Sequence, residues 1–322
     1  MLQTVSSAPV VVRSGVFAGT QVGPSFFNLY LNDFFFNFEN FIIEKGIVAQ
    51  AVGYADDILI CVAGKDLFEL STNANNILKM LFDWSEDNAL PINVKKSSFM
   101  LLQKKVKELP MFPISVGAEY LNQSWCLDYL GVTIDPGLSG CAHVDSVSKK
   151  LKKSCFMFRT IRQKMSPKHL VTLYHAYFSS KLNYGILYWA NNINLKEMLL
   201  VQKRCIRTMF NCRKRESCRP LFLEHKILTV VSLYILEVSV FVISNLGTIF
   251  VINKDVHSHN TRHKQDIRSG ITYYCGMCTI FNHLPLALRK ETKKTFKKKL
   301  KNHLLKNCFY SLQEFLEVPF VL

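Results

Sequence analysis

Apolar positions fall at two different periods along this chain, and the change from one to the other divides it. Two short β-rich runs, 47–54 and 58–63, are separated only by an Ala-Asp-Asp segment, which predicts a hairpin although no Asn-Gly marks the turn. Ahead of it, Pro9-Val10-Val11-Val12 predicts a strand that ends in a Gly-bearing loop at 15–24. That loop opens an apolar helix through Phe26, Phe27, Leu29, Tyr30 and Leu31. Behind the hairpin, Leu67, Leu70, Ala74, Ile77, Leu78, Leu81, Phe82 and Trp84 recur at helical steps and predict a helix over about 66–87. Alternating strands are predicted over roughly 90–135. From Val144 the apolar steps are threes and fours, predicting helices at 144–164, 167–180, 195–210 and 227–245. A last helix over 289–306 is dense in lysine and carries Phe296, Leu300 and Leu304 on one face, and the stretch 253–270 is a polar, His-rich loop. An α/β part therefore precedes an all-helical part, with no internal repeat.

Composition adds a core and a partner class. The 322 residues are 49% hydrophobic, ample for a packed interior, and 40 Lys+Arg against 24 Asp+Glu give a formal net charge of +16. A balance this basic favours a polyanionic partner, either nucleic acid or an anionic membrane surface. Ten cysteines are spread thinly along the chain, and its opening, M-L-Q-T-V-S-S-A-P, has no charged start followed by an apolar core and cleavage site. Both features predict an intracellular, reducing setting with mostly free thiols rather than a disulfide framework.

Two stretches invite sharper readings. Residues 227–252 are apolar with a single charge, Glu237, and have the length of a membrane span. A charge at the centre of a span costs about 2–3 kcal/mol, so a buried helix broken near Asn245-Leu246-Gly247 is the expectation, with no membrane partner. His257, His259, His263, Cys275 and Cys278 have the chemistry of zinc ligands, but the paired C-x-x-C spacing of a strong zinc site is missing.

The chemistry concentrates at Asp56 and Asp57. Buried among apolar neighbours, two carboxylates cost several kcal/mol, roughly, unless paired; at a hairpin tip they present hard oxygens to Mg²⁺. As an isolated pair, Asp-Asp is more often a plain turn. Here Y-A-D-D at 54–57 resembles the active-site motif of reverse transcriptases, and the resemblance continues in order on both sides. Upstream, G-V-F-A-G-T-Q-V-G-P-S-F-F-N-L-Y-L-N-D at 15–33 resembles the template- and nucleotide-contacting motif of non-LTR retrotransposon enzymes. Downstream, N-A-L-P-I-N-V-K-K-S at 88–97 resembles the motif whose lysine acts toward the leaving pyrophosphate. Next, Y-L-G-V-T-I-D at 129–135 resembles the primer-grip hairpin, and H-V-D-S-V-S-K-K at 143–150 the start of the thumb. Matching segments run on through Q-K-R-C-I-R at 202–207 to F-N-H-L-P at 281–285. The chain is thereby identified as similar to LINE-like, Jockey-type non-LTR reverse transcriptases.

The resemblance implies an α+β fold: a partial right-hand polymerase palm over 1–135, a helical thumb over 136–250 and a basic C-terminal extension over 251–322. It implies RNA-directed DNA polymerase activity with Mg²⁺ held by Asp56 and Asp57, and with an RNA template, a DNA primer and deoxynucleotides as partners. No small-molecule cofactor is implied, and the location implied is the nucleus. Lys96 is the matching candidate for general acid; Gly15, Ala18, Gly19, Tyr54, Ala55, Leu130 and Gly131 are the matching nucleic-acid and nucleotide contacts. The sequence departs from the family pattern in three places. Ala18 replaces a glutamine and Phe17 a proline, and the region of Gly140 lacks the usual tryptophan. Moreover, no Asp or Glu precedes Gly15, where the family's fingers and first catalytic palm strand would lie. The resulting expectation is a truncated polymerase, inactive alone, or alternatively a catalytically inert nucleic-acid-binding remnant.

Overall fold

The computed structural model describes residues 19–102, 113–213, 215–253 and 265–320, the Asn192 side chain excepted. The expected strand at 9–12, Gly15, Ala18 and the three histidines of the possible zinc set lie outside the described residues. Helices and small sheets mix, and the fold is α+β. The chain forms two compact units, one running to Trp125 and the other from Cys126 onward; that division lies ten residues ahead of the 135/136 boundary expected from the sequence.

In the first unit, α1 (Gly23–Lys45) starts with Pro24 in its first turn and stops at Gly46, whose φ of 63° ends it in the left-handed conformation. It continues well past the residues that suggested it. Leu31, Phe34 and Phe38, three and four apart, bury one stripe against Ile77, Leu81 and Trp84 of α2 (Leu67–Asp87). Asp66 caps α2 by accepting the Glu69 N–H at 2.8 Å. Between the helices, β1 (Ala49–Tyr54) and β2 (Asp57–Val62) pair antiparallel, Ala49 opposite Val62 and Tyr54 opposite Asp57. Ala49, Ala51, Ile58, Ile60 and Val62 lie against the same core.

Among the described residues, the alternation expected over 90–135 yields only two- and three-residue ladders, because its apolar residues are interrupted every few positions by turns. β3 (Ser98–Phe99) pairs parallel with β6 (Asn122–Gln123), and β4 (Ser115–Val116) antiparallel with β5 (Glu119–Tyr120). Val94–Lys96 is a 3₁₀ turn rather than a strand edge, set by the Asn93 side chain accepting the Lys96 N–H at 3.2 Å.

The second unit opens with the hairpin of β7 (Leu127–Tyr129) and β8 (Val132–Ile134), followed by α3 (Cys141–Ile161). The helix predicted at 167–180 is α4 (Pro167–Tyr174), a π-helical turn at His175–Ser179 and α5 (Ser180–Asn183) in succession. The short α6 (Ile186–Trp189) precedes α7 (Asn192–Met209) and α8 (Arg219–Glu224). At the centre lies α9 (Val230–Ser244), buried on all sides through Val230, Val231, Ile235, Leu236, Val238 and Val242. Its uniform hydropathy reflects neighbours all around it, and no helix among the described residues is long and apolar enough to cross a membrane. Gln202 of α7 is fully buried; it donates to the Tyr174 hydroxyl at 2.8 Å and the Leu228 carbonyl at 2.9 Å and accepts the Val230 N–H at 2.8 Å. A buried amide so satisfied ties α4, α7 and α9 together.

Beyond α9, β9 (Val251–Ile252) pairs with β10 (Ile267–Arg268), and β10 lies inside the stretch 253–270 expected to be loop. α10 (Cys275–Asn282), α11 (Leu286–Arg289), α12 (Lys293–Lys306) and α13 (Leu312–Glu317) complete the unit. Phe296, Leu300 and Leu304 of α12 are buried while Lys293, Lys294, Lys297, Lys298, Lys299 and Lys301 are exposed, as the sequence pattern predicted. All ten cysteines are free, five of them buried.

Candidate active site at the YADD hairpin

The register of the hairpin decides where its carboxylates go. Ile58, Ile60 and Val62 face α1 and α2, so Asp57, one residue off that alternation, faces away from the core. Ala55 and Asp56 form the two-residue turn, and Ala55 takes a left-handed φ of 51°, at a cost of about 1 kcal/mol for a residue with a Cβ. Tyr54, Ala55, Asp56 and Asp57 are all exposed. The desolvation that apolar flanks suggested is therefore avoided, and among the described residues neither carboxylate is ion-paired or accepts a side-chain hydrogen bond.

What seats the tip on the helix layer is a close approach. A Cβ on Gly53 would fall 2.6 Å from Cζ of Phe35, so the ring of Phe35 lies over the strand just before Tyr54. Phe35 was not singled out from the sequence; the signal was Gly53 itself, since glycine inside a strand marks a place where something approaches the backbone. Asp33 holds the other side of α1 to α2 by accepting the Trp84 indole N–H at 3.3 Å.

The other candidate residues are distributed unevenly. Lys96 is exposed on its 3₁₀ turn, in the same unit as the hairpin, and no hydrogen bond or ion pair joins it to Asp56 or Asp57. Gly19 is exposed, with a left-handed φ of 83° and open space where a Cβ would go. Leu130 and Gly131 belong to the second unit, where they form the two-residue turn of the β7–β8 hairpin with φ of 48° and 77°. The Tyr184 hydroxyl donates to the Leu130 carbonyl, and Gly131, His143, Val147, Lys150, Ser180, Lys181 and Tyr184 line a shallow cleft beside that turn. His143 is buried; its Nδ1 accepts the Thr133 N–H at 3.2 Å. Burial first, and then the Lys150 charge, push its pKa down. Gly140, where the family pattern has a tryptophan nearby, has a φ of 73°, and a Cβ there would fall 2.6 Å from Cα of Trp189, so this packing admits only glycine. In the possible zinc set, Cys275 is exposed and Cys278 buried.

Residues 3–134 match the family model "Reverse transcriptase (RNA-dependent DNA polymerase)". They are a reverse transcriptase domain. Two curated relatives are, by their names, polymerase or Pol proteins of transposable elements. The "Probable RNA-directed DNA polymerase from transposon BS" of Drosophila melanogaster is 24% identical over 213 residues, 64% of this chain and 23% of that protein. The "Retrovirus-related Pol polyprotein from type-1 retrotransposable element R1 3" of Nasonia vitripennis is 22% identical over 168 residues, 50% of this chain and 44% of that protein. The match thus spans less than half the length of either relative. No solved structure matches the chain. Within the reverse transcriptase domain lie the YADD hairpin, Lys96 and the β7–β8 turn, while α3 onward lies beyond the matched residues.

As a donor set for a divalent ion, the hairpin tip offers hard carboxylate oxygens on adjacent residues with no competing cation. Among the described residues no group of three or more His, Cys, Asp or Glu side chains is gathered for a metal. The chemistry of the tip fits Mg²⁺, which keeps waters and takes few protein carboxylates alongside substrate phosphates.

Proposed function

We propose that this chain carries the Asp56–Asp57 part of an RNA-directed DNA polymerase site. The observation that supports it most is the exposure of both carboxylates, free of ion pairs, at the tip of a hairpin whose opposite face is packed on α1 and α2. Asp56 is the metal ligand and Asp57 its neighbour. Mg²⁺ bound there would favour the ionised primer hydroxyl and offset charge on the leaving phosphates. The residues of the chain do the positioning. Phe35 over Gly53 holds the tip against α1, Tyr54 and Ala55 offer an exposed surface to template and nucleotide, and Lys96 is the proton donor to pyrophosphate. Around the β7–β8 turn, Leu130 and Gly131 hold the primer. The regions 1–135, 136–250 and 251–322 correspond to partial palm, thumb and basic extension.

Two-metal chemistry takes carboxylates from two strands, and no acidic residue precedes Gly15. Extension therefore requires a second carboxylate strand beside the one that carries Asp57. Ala18, with a methyl group where the family pattern has a polar amide, further weakens positioning.

The site is tested with Mn²⁺ as a paramagnetic probe on the ¹⁵N-labelled chain, in the presence of an RNA–DNA hybrid. Amide signals of residues 54–58 are expected to broaden first, and Asp56→Asn to remove that selectivity. Broadening that spares 54–58, or that persists unchanged in Asp56→Asn, would overturn the assignment.

A further inference from the structure

A cleft of the helical unit is lined by four arginines. Arg159 and Arg162 come from the C-terminal end of α3, Arg204 and Arg207 from that of α7, and with Thr208 and Cys212 they enclose about 570 Å³. Each pair is spaced R-x-x-R, which puts both members on one helix face. Two of the four have structural employment. Arg162 donates to the Thr208 carbonyl at 3.0 Å, and Arg207 donates twice to the Glu216 carbonyl, at 3.2 and 2.9 Å. Both satisfy carbonyls at or beyond a helix end, the ordinary task of a basic residue in that place.

Arg159 and Arg204 have no such task. Both are exposed, and neither guanidinium makes a hydrogen bond or ion pair among the described residues. Among the described residues no carboxylate lines the cleft; Glu216 accepts the Arg213 N–H at 2.8 Å and its carboxylate lies beside Cys212, which does line it. The field of the two free guanidiniums reaches inward as well. The thiol of Cys155 is held below its ordinary value first by its hydrogen bond with Cys205, then, against burial, by the charges of Arg204 and Arg159. Four positive charges converging with a single carboxylate beside them repel one another, and the arrangement is stabilised when an anion enters. Guanidinium forks match phosphate oxygens two at a time, which lysines do not.

We propose that this cleft is a binding site for phosphodiester groups of a nucleic-acid backbone, with Arg159 and Arg204 as the direct contacts and Arg162 and Arg207 fixing the cleft wall. The proposal rests on the nucleic-acid reading above and places a contact in the helical unit, outside the matched reverse transcriptase residues.

The test compares the full chain with Arg159→Gln/Arg204→Gln and with Lys149→Gln/Lys196→Gln. The lysine pair removes the same charge from the same helices, about 12–15 Å back along each axis at 1.5 Å per residue. Affinity for a mixed-sequence RNA–DNA hybrid is read by fluorescence anisotropy over a salt titration, with circular dichroism checking that each variant is folded. Loss of two phosphate contacts is expected to weaken binding at least tenfold, roughly, at low salt and to lower the log–log salt slope by about 2. The lysine variant is expected to stay within about threefold with its slope unchanged. A second readout, arylglyoxal labelling of the wild-type chain followed by mass spectrometry, is expected to show Arg159 and Arg204 protected by the hybrid. Hybrid binding that is indifferent to the arginine substitutions overturns the cleft alone. Protection by tripolyphosphate but not by the hybrid replaces the proposed occupant with a free polyphosphate and so overturns it. Absence of any hybrid binding by the wild-type chain defeats the nucleic-acid reading and this proposal together.

Discussion

Single residues hold the second unit to a particular pH range, and His143 shows how. It sits buried and neutral, with Nδ1 accepting the Thr133 N–H, so a proton on that nitrogen would remove the hydrogen bond and place a charge in the core beside Lys150. Its folded pKa lies below the ordinary 6.5. The unfolded chain therefore binds the proton first, and this contribution to stability is complete above 6.5 and lost as pH falls from there through the lower folded value. Thermal melts from pH 7.5 to 5 are expected to show a falling midpoint that flattens in His143→Gln. Parallel curves for the two proteins would contradict this. The sequence could not show it, because a histidine two residues into a helix looks the same buried or exposed. By contrast Asp56 and Asp57 stood out as candidates from their motif, and what the sequence obscured was their setting. Apolar flanks suggested burial, whereas the two-residue period of the strand turns Asp57 outward.

At the scale of elements, α1 is the instructive case. It is apolar nearly all round, so periodicity indicated a helix but not which face packs. The core uses Leu31, Phe34 and Phe38, while Phe36 and Ile43 are 64% and 76% exposed. Phe34→Ala is expected to destabilise the first unit by about 3–5 kcal/mol, and Phe36→Ala by about 0.5 kcal/mol or less. Equal losses in urea denaturation would show that the burial assigned to α1 is wrong. The long helices α2, α3, α7 and α9 were legible to within a few residues because each buries a repeating stripe or, for α9, its whole surface. The ladders between 98 and 123 were not, since strands of two residues are shorter than the period that would announce them, whereas the β7–β8 hairpin lies where the sequence at 129–135 resembled one. The arginine cleft was missed for a different reason. Its two R-x-x-R pairs lie 45 residues apart and read as ordinary solvated helix faces until α3 and α7 bring them together.

At the scale of the whole molecule, two compact units share one chain, and each has its own core. The reverse transcriptase match covers the first unit and the short hairpin that opens the second, while the helical remainder brings the arginine cleft and the exposed lysines of α12. On the reading proposed above, the chain carries one set of polymerase carboxylates together with a strongly basic partner surface. Primer extension on an RNA template with Mg²⁺ tests that claim most directly. It compares the 322-residue chain, its Asp56→Asn variant, and the chain joined to a family-consensus fingers and first palm segment, with and without Asp56→Asn. The expected result is no extension by the first two, weak extension by the joined protein, limited by Ala18, and none once Asp56 is changed in it. Extension by the unmodified chain that vanishes in Asp56→Asn would contradict the need for a second carboxylate strand, and extension by the joined protein that survives Asp56→Asn would contradict the site itself.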